Sequence, residues 1–265
     1  KTEGTYGTDS TPTEAANALL VSNVSITPLQ AQNVDRNIIR PYFGHSEQLV
    51  GANYIELGFD VELAGSGTAG TAPAYGSLLK ACGFTETATP AVRTEYTLNT
   101  PVSSSVTIYY FSDGVRHKAL GCRGTVSFGL RAGERPMMSF RFTGLDGGIA
   151  TATPSALTLS GFKTPFVIMD STAGDLTFGA SYTAATPALT GGTAYPSQGI
   201  NIDLGNQVQY TPILGGEIVD VTNRQVSGSV MLDLAAADEV TFMGNVKTAT
   251  LQSLGIMLGT TAGYK

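Results

Sequence analysis

Gly65, Gly67 and Gly70 form a literal G-x-G-x-x-G directly after an alternating apolar stretch, the spacing that can cradle a pyrophosphate. A dinucleotide site needs a buried parallel strand before the glycines and a helix that starts on the third of them. Here the preceding strand pattern is half wet and carries acids, and Thr71-Ala72-Pro73 delays any helix. The segment therefore reads as a flexible loop, and no cofactor is expected. His45 and His117 are the two histidines, and neither has a second ligand at metal spacing. Cys82 and Cys122 sit in apolar contexts without a paired partner and read as small buried hydrophobes, not as a disulfide or a metal site. Serine is frequent, but no G-x-S-x-G elbow occurs. Asp238 and Glu239 are adjacent on a helical pattern, where neighbours do not face each other. With no catalytic constellation, the chain reads as a non-enzyme.

The elements around these residues are more informative. Ile55, Leu57, Phe59, Val61 and Leu63 alternate with Tyr54, Glu56, Gly58, Asp60 and Glu62. Side chains on a strand alternate between faces, so one face lies on a core and an acidic one in water. After the loop, Gly76 to Phe84 predicts a short helix with Ser77 as N-cap and Gly83 just past its end. Ser105–Phe111 and Val115–Leu120 flank Asp113-Gly114, a hairpin signal. Cys122 to Leu130 and Met137 to Thr143 alternate in the same way around the turn Ala132–Pro136.

Before these elements, residues 1 to about 18 predict an arm that orders only against a partner, and a short strand is predicted around Val24–Ile26. The loop from Asn33 to Gly51 sets Ile38, Ile39, Tyr42 and Phe43 among polar residues, which reads as a contact surface. From Gly147 to Pro154 the composition is that of a linker. Strands follow at Ile200–Leu204, Gln207–Tyr210, Glu217–Val221 and Gln225–Leu234, then a helix over Ala235–Val246 and a last strand over Thr250–Leu258. This order echoes the first half: Val24–Ile26 with Ile200–Ile202, and Gly58–Leu63 with Gly228–Leu234, each of the latter preceding a helix. Two β modules are expected, residues 1–150 and 151–265, the second incomplete at its C-terminal end.

The chain has 265 residues and a net charge of −6, with 14% charged residues against about 25% in ordinary domains. An acidic, charge-poor chain is poorly suited to gripping phosphates. No apolar run approaches the roughly 20 residues of a membrane span, and the polar start does not read as a signal peptide.

Taken as an ordered set, several segments resemble the tail tube (major tail) proteins of long-tailed bacteriophages. They are GTYGTDSTPTEAANALLVSNVSITPL, VDRNIIRPYFG, YIELGFDVELAGSGTAGTAPAYGSLLKACGF, the hairpin from SVTIYYF to RFTGL, INIDLGNQVQYTPILGG and TNRQVSGSVMLDL. The resemblance spans nearly the whole chain. It implies a mainly β subunit, an antiparallel β-sandwich or half-barrel module with one flanking helix, duplicated here. Such subunits close into rings that stack into a virion tail tube, a conduit for DNA ejection, assembled in the host bacterial cytoplasm. Other tail proteins would meet the tube ends, and DNA would pass without specific binding. Carried onto this sequence, the lumen-facing candidates are Glu56, Asp60 and Glu62, with Gln225, Ser227, Ser229 and Asp233 in the repeat. Inter-subunit contact candidates are Ile38, Ile39, Tyr42, Phe43, Gly65, Gly67 and Gly70. Two modules per chain imply a ring of three chains, and one module implies six. The other class considered is a surface or secreted β-sandwich adhesion or glycan-binding module. The absence of Trp weighs against glycan binding.

Overall fold

The computed structural model describes residues 1–36 and 38–264; Asn37, inside the predicted contact loop, and Lys265 lie outside the described residues. The chain is mainly β. In order it forms α1 (Glu14–Asn17), β1 (Ser22–Asp35), β2 (Gln48–Glu62), α2 (Gly76–Ala81), β3 (Phe84–Thr89), β4 (Arg93–Leu98), β5 (Val106–Ser112), β6 (Val115–Arg131) and β7 (Met137–Thr151). Then follow β8 (Leu176–Phe178), β9 (Ser181–Thr183), β10 (Ala188–Thr190), β11 (Thr193–Tyr195), β12 (Ser197–Asp203), β13 (Asn206–Thr211), β14 (Ile218–Arg224), β15 (Ser227–Leu232), α3 (Ala236–Lys247) and β16 (Leu254–Gly255).

A seven-stranded antiparallel sheet in the order β1-β2-β7-β6-β12-β15 curves into a half-barrel. β7 lines one side of β6, while β5 and β12 share the other side, one after the other. The strands on either side of residue 150 thus belong to one sheet. The β5–β6 turn follows the predicted hairpin: Asp113 and Gly114 both have positive φ, as a type I′ turn requires.

The core lies on the inner face. Ile55, Leu57, Phe59 and Val61 are buried against Met138, Phe140 and Phe142 of β7, Val126 of β6, and Leu78 and Leu79 of α2. Phe59, Phe140 and Phe142 pack as a cluster, with ring centroids 5.8–5.9 Å apart. Leu63, past the strand end, is half-buried. Cys82 and Cys122 are both fully buried free thiols, and burial pushes both pKa values up. A second cluster, Leu130, Ile168, Leu176 and Ile200, joins the inner face of β6 and β12 to the small sheet β11-β8-β16. The N-cap of α2 lies two residues earlier than expected, at Tyr75 and not Ser77. Gly83 follows its end at φ +89°, where a side chain would collide with Arg224.

Several segments differ from expectation, among them β7, which runs on to Thr151 through the first part of the expected linker Gly147–Pro154. The strand around Val24 is 14 residues long, because it pairs with the whole of β2 from Ser22↔Asp60 to Asp35↔Gln48. The predicted loop therefore shrinks to residues 36–47. The last strand shortens to the two residues of β16.

The N-terminal arm does not wait for a partner; it docks on its own chain. Thr107 N–H donates to the Lys1 carbonyl, and Glu3 N–H to that of Ser105. The Glu3 carboxylate accepts from Ser105 and Thr107 hydroxyls and from the Gly7 and Gly121 N–H groups. Asp9 accepts from Tyr109 (2.6 Å) and Lys118 (2.8 Å). Burial alone would raise the Asp9 pKa, but Lys118 and Tyr109 outweigh it and hold the carboxyl at about 2. A carboxyl depressed in the folded state adds stability above its unfolded pKa of about 3.9, and loses it as pH falls through the folded one. Acidification from pH 4 to 2 should thus loosen the arm first. Amide exchange of Val106–Tyr109 checks this: protection falling in that window is expected, and unchanged protection would refute the anchor.

Candidate assembly surfaces

Directly paired residues of an antiparallel sheet share a face, so the register maps the outer surface. One row runs Ser22, Asp60, Ser139, Ser127, Asp203, Ser227 across six strands. The next runs Glu62, Met137, Gly129, Asn201, Ser229. Two shorter rows are Ser25, Gly58, Arg141, Thr125 and Thr27, Glu56, Thr143, Arg123. Five of the seven acidic and polar candidates, Glu56, Asp60, Glu62, Ser227 and Ser229, thus fall on one continuous face, although 165 positions separate Glu62 from Ser227 in sequence. Gln225 and Asp233 flank β15, both exposed, with their N–H groups on the carbonyls of Gly205 and Pro196.

This face carries four carboxylates, Glu56, Asp60, Glu62 and Asp203, against the exposed guanidinium groups of Arg141 and of Arg131, which pairs with Gly199. Asn23 donates to Asp60 (2.7 Å), and Arg135 of the β6–β7 turn pairs with Glu62 (2.7 Å). Apart from Met137 and the buried Arg123, the rest of these rows is uncharged Ser, Thr, Asn and Gly.

One end of the face is covered. The hairpin β13–β14 lies over it: Tyr210 stacks on Tyr54 with centroids 4.9 Å apart. Arg123, on the nominally wet side, is buried. It donates to the Val219 carbonyl (3.0 Å) and the Asp220 carboxylate (2.8 Å), beneath the ring of Tyr6. At the root of the hairpin, the buried Asn206 amide donates to the carbonyls of Cys82 (2.7 Å) and Gly124 (2.8 Å) and accepts from Arg224 Nε (2.8 Å). Arg224 also donates to the carbonyls of Gly83 and Asn99. This node fixes α2, β6 and the hairpin together. Neither residue stands out in the sequence; only an Asn after a Leu-Gly turn hints at it.

The contact candidates split into two groups. Ile38, Ile39, Tyr42 and Phe43 crown the tip of the β1–β2 hairpin, beyond the last pair Asp35↔Gln48. Ile39 and Phe43 are fully solvent-exposed, at 104% and 109%. Gly65, Gly67 and Gly70 instead lie against their own chain. Gly67 N–H donates to the Gly263 carbonyl (2.9 Å), and side chains at Gly65 and Gly70 would strike Gly263 and Thr89. Among the described residues no group of three or more His, Cys, Asp or Glu could hold a metal ion, and no helix is long and apolar enough to cross a membrane.

The sequence matches the family model for phage tail tube protein over residues 1–265, the whole chain. The chain belongs to that family. No curated protein matches it. As a phage tail tube protein it is a structural component of the bacteriophage virion tail, and its assembly partners are further copies of itself and other tail proteins.

Proposed function

We propose that copies of this tail tube protein close edge to edge into rings, and that the rings stack into the conduit through which DNA leaves the virion. The observation that carries this reading is the sheet with two open edges. Each neighbouring pair is antiparallel, so β1 and β15 run in opposite directions. β15 of one copy beside β1 of the next continues the same pattern, and closure pairs both end strands of this sheet. The acidic and polar face then lines the lumen, where carboxylates repel phosphates and leave DNA free to slide. The hairpin tip with Ile38, Ile39, Tyr42 and Phe43 contacts the adjoining ring. The loop of Gly65, Gly67 and Gly70 contributes at a subunit border.

An antiparallel strand pair followed by a helix occurs twice, as β1–β2–α2 and, with the hairpin β13–β14 inserted between its strands, as β12–β15–α3. It favours three two-module chains per ring over six. Assembly takes place in the host cytoplasm before the virion leaves.

Electron microscopy and the mass per ring of the purified chain test the reading directly. A charge-reversal experiment tests the lumen. Glu56, Ser139 and Ser229 are exposed on the face and have no hydrogen-bond partner described above. Tubes of Glu56→Lys/Ser139→Lys/Ser229→Lys are expected to retain duplex DNA at low salt. The logarithmic salt slope should steepen by about 0.9 for each phosphate contacted. Variant tubes as indifferent to DNA as the parent would place this face elsewhere.

A further inference from the structure

Two apolar surfaces sit at opposite edges of the sheet on its inner side, and none of the described residues covers either. The first is a groove of about 410 Å3 beneath β1, floored by Phe59, Leu78 and Tyr110 and rimmed by Leu20, Val24 and Leu157. Leu20, Val24 and Leu157 are each at least half exposed. The second is α3, which follows β15 and packs on the small sheet over the second core. It is turned largely inside out. Asp238, Phe242 and Asn245 face inward, with Phe242 edge-on to Phe178 (5.6 Å) and Tyr195 (6.0 Å). Val240, Met243 and Val246 lie on the outward side, 75%, 46% and 57% exposed, near the fully exposed Leu251. An apolar stripe on a helix is ordinarily the side that docks.

We infer that α3 of one copy seats in the β1 groove of the next copy around the ring. This inference rests on the ring reading above, and two further observations support it. Pairing β15 with the neighbour's β1 brings the helix edge and the groove edge together on the same inner side, so one movement completes both contacts. Charge also matches. Glu239 and Lys247 flank the helix stripe, and Lys1 and Glu14 are the charged residues lining the groove. One orientation pairs both acids with both bases, and the reverse sets like against like. Twelve residues of helix span about 18 Å, enough to cross such a groove. The occupant is thus a second copy of this chain.

The test is a cross-link in the full-length chain. Met243→Cys and Leu20→Cys are both at exposed positions, and the native thiols are fully buried and will not compete. Oxidation after assembly should give an inter-chain ladder on a non-reducing gel that stops at the ring copy number, with neither single variant giving one. Separately, Val240→Lys/Met243→Lys should leave the monomer folded by circular dichroism and lower the assembled fraction at least tenfold. Rings seen by microscopy without the ladder, or undiminished assembly of the lysine variant, would overturn the helix contact while leaving the ring reading intact. Failure of the parent chain to form any ring would sink the ring reading, and this inference with it.

Discussion

A chain in which residues 36–47 are replaced by Asn-Gly is expected to fold, close into rings and fail to stack them. The graft is set by the register: Asp35 pairs with Gln48, so a two-residue type I′ turn joins β1 to β2 without disturbing the ladder. The excised tip contributes nothing to the described core, and its Arg36–Glu47 ion pair is exposed, so little folding stability is lost. The shorter loop also closes at lower entropic cost. The unfolding free energy of the monomer should therefore stay within about 1 kcal/mol of the parent. Stacking is another matter. Ile39 and Phe43 each stand to gain about 1.5–3 kcal/mol on full burial, repeated for every copy in a ring. Removing them should raise the concentration needed for tube growth by more than a hundredfold, measured by sedimentation and by counting rings against tubes. Tubes of normal length at normal concentration would show that the tip has no part in joining rings.

Asn206→Leu carries the largest expected cost to the fold itself. The side chain is buried, and its amide makes three bonds, to Cys82, Gly124 and Arg224. Leucine fills a similar volume but strands two carbonyls and one guanidinium nitrogen away from water. Each stranded group costs about 1–3 kcal/mol, so a total on the order of 3–9 kcal/mol is expected. Domains are stable by only about 5–15 kcal/mol, so this variant should approach global instability. Asn206→Asp should also be damaging, because it aims a carboxylate at two carbonyl oxygens while retaining the Arg224 contact. Equilibrium denaturation compares the variants with the parent. A loss below about 1 kcal/mol for both would mean that the node is incidental.

How far the sequence revealed these features depends on which neighbours each segment has. The second half of β2 was legible because one of its faces is buried from Ile55 to Val61, which alternate cleanly with the acids; its exposed first half was read as loop. β1 was not. Both its faces are largely exposed, its pairing is irregular around Pro28, and no alternation marks it. The hairpin β3–β4 is hidden among Thr and Glu for the same reason. Arg123 occupies a polar position by the two-residue period, yet it is buried. Periodicity assigns a face but not what lies on that face, and here the cover comes from residues almost a hundred positions later. The acids and serines on the outer face could be listed from sequence, but their union in single cross-strand rows depends on β12 joining β6, a long-range pairing that no local pattern encodes. α3 was legible as a helix, and its orientation was not: an apolar stripe specifies a contact without naming whose.

The two cysteines have a bearing on life outside the cell. Oxidation and disulfide exchange proceed through thiolates that a reagent can reach. Cys82 and Cys122 offer neither, because both are fully enclosed and burial keeps them protonated. A virion tail built from this chain can move between reducing and oxidising surroundings without gaining or losing a covalent link in these subunits.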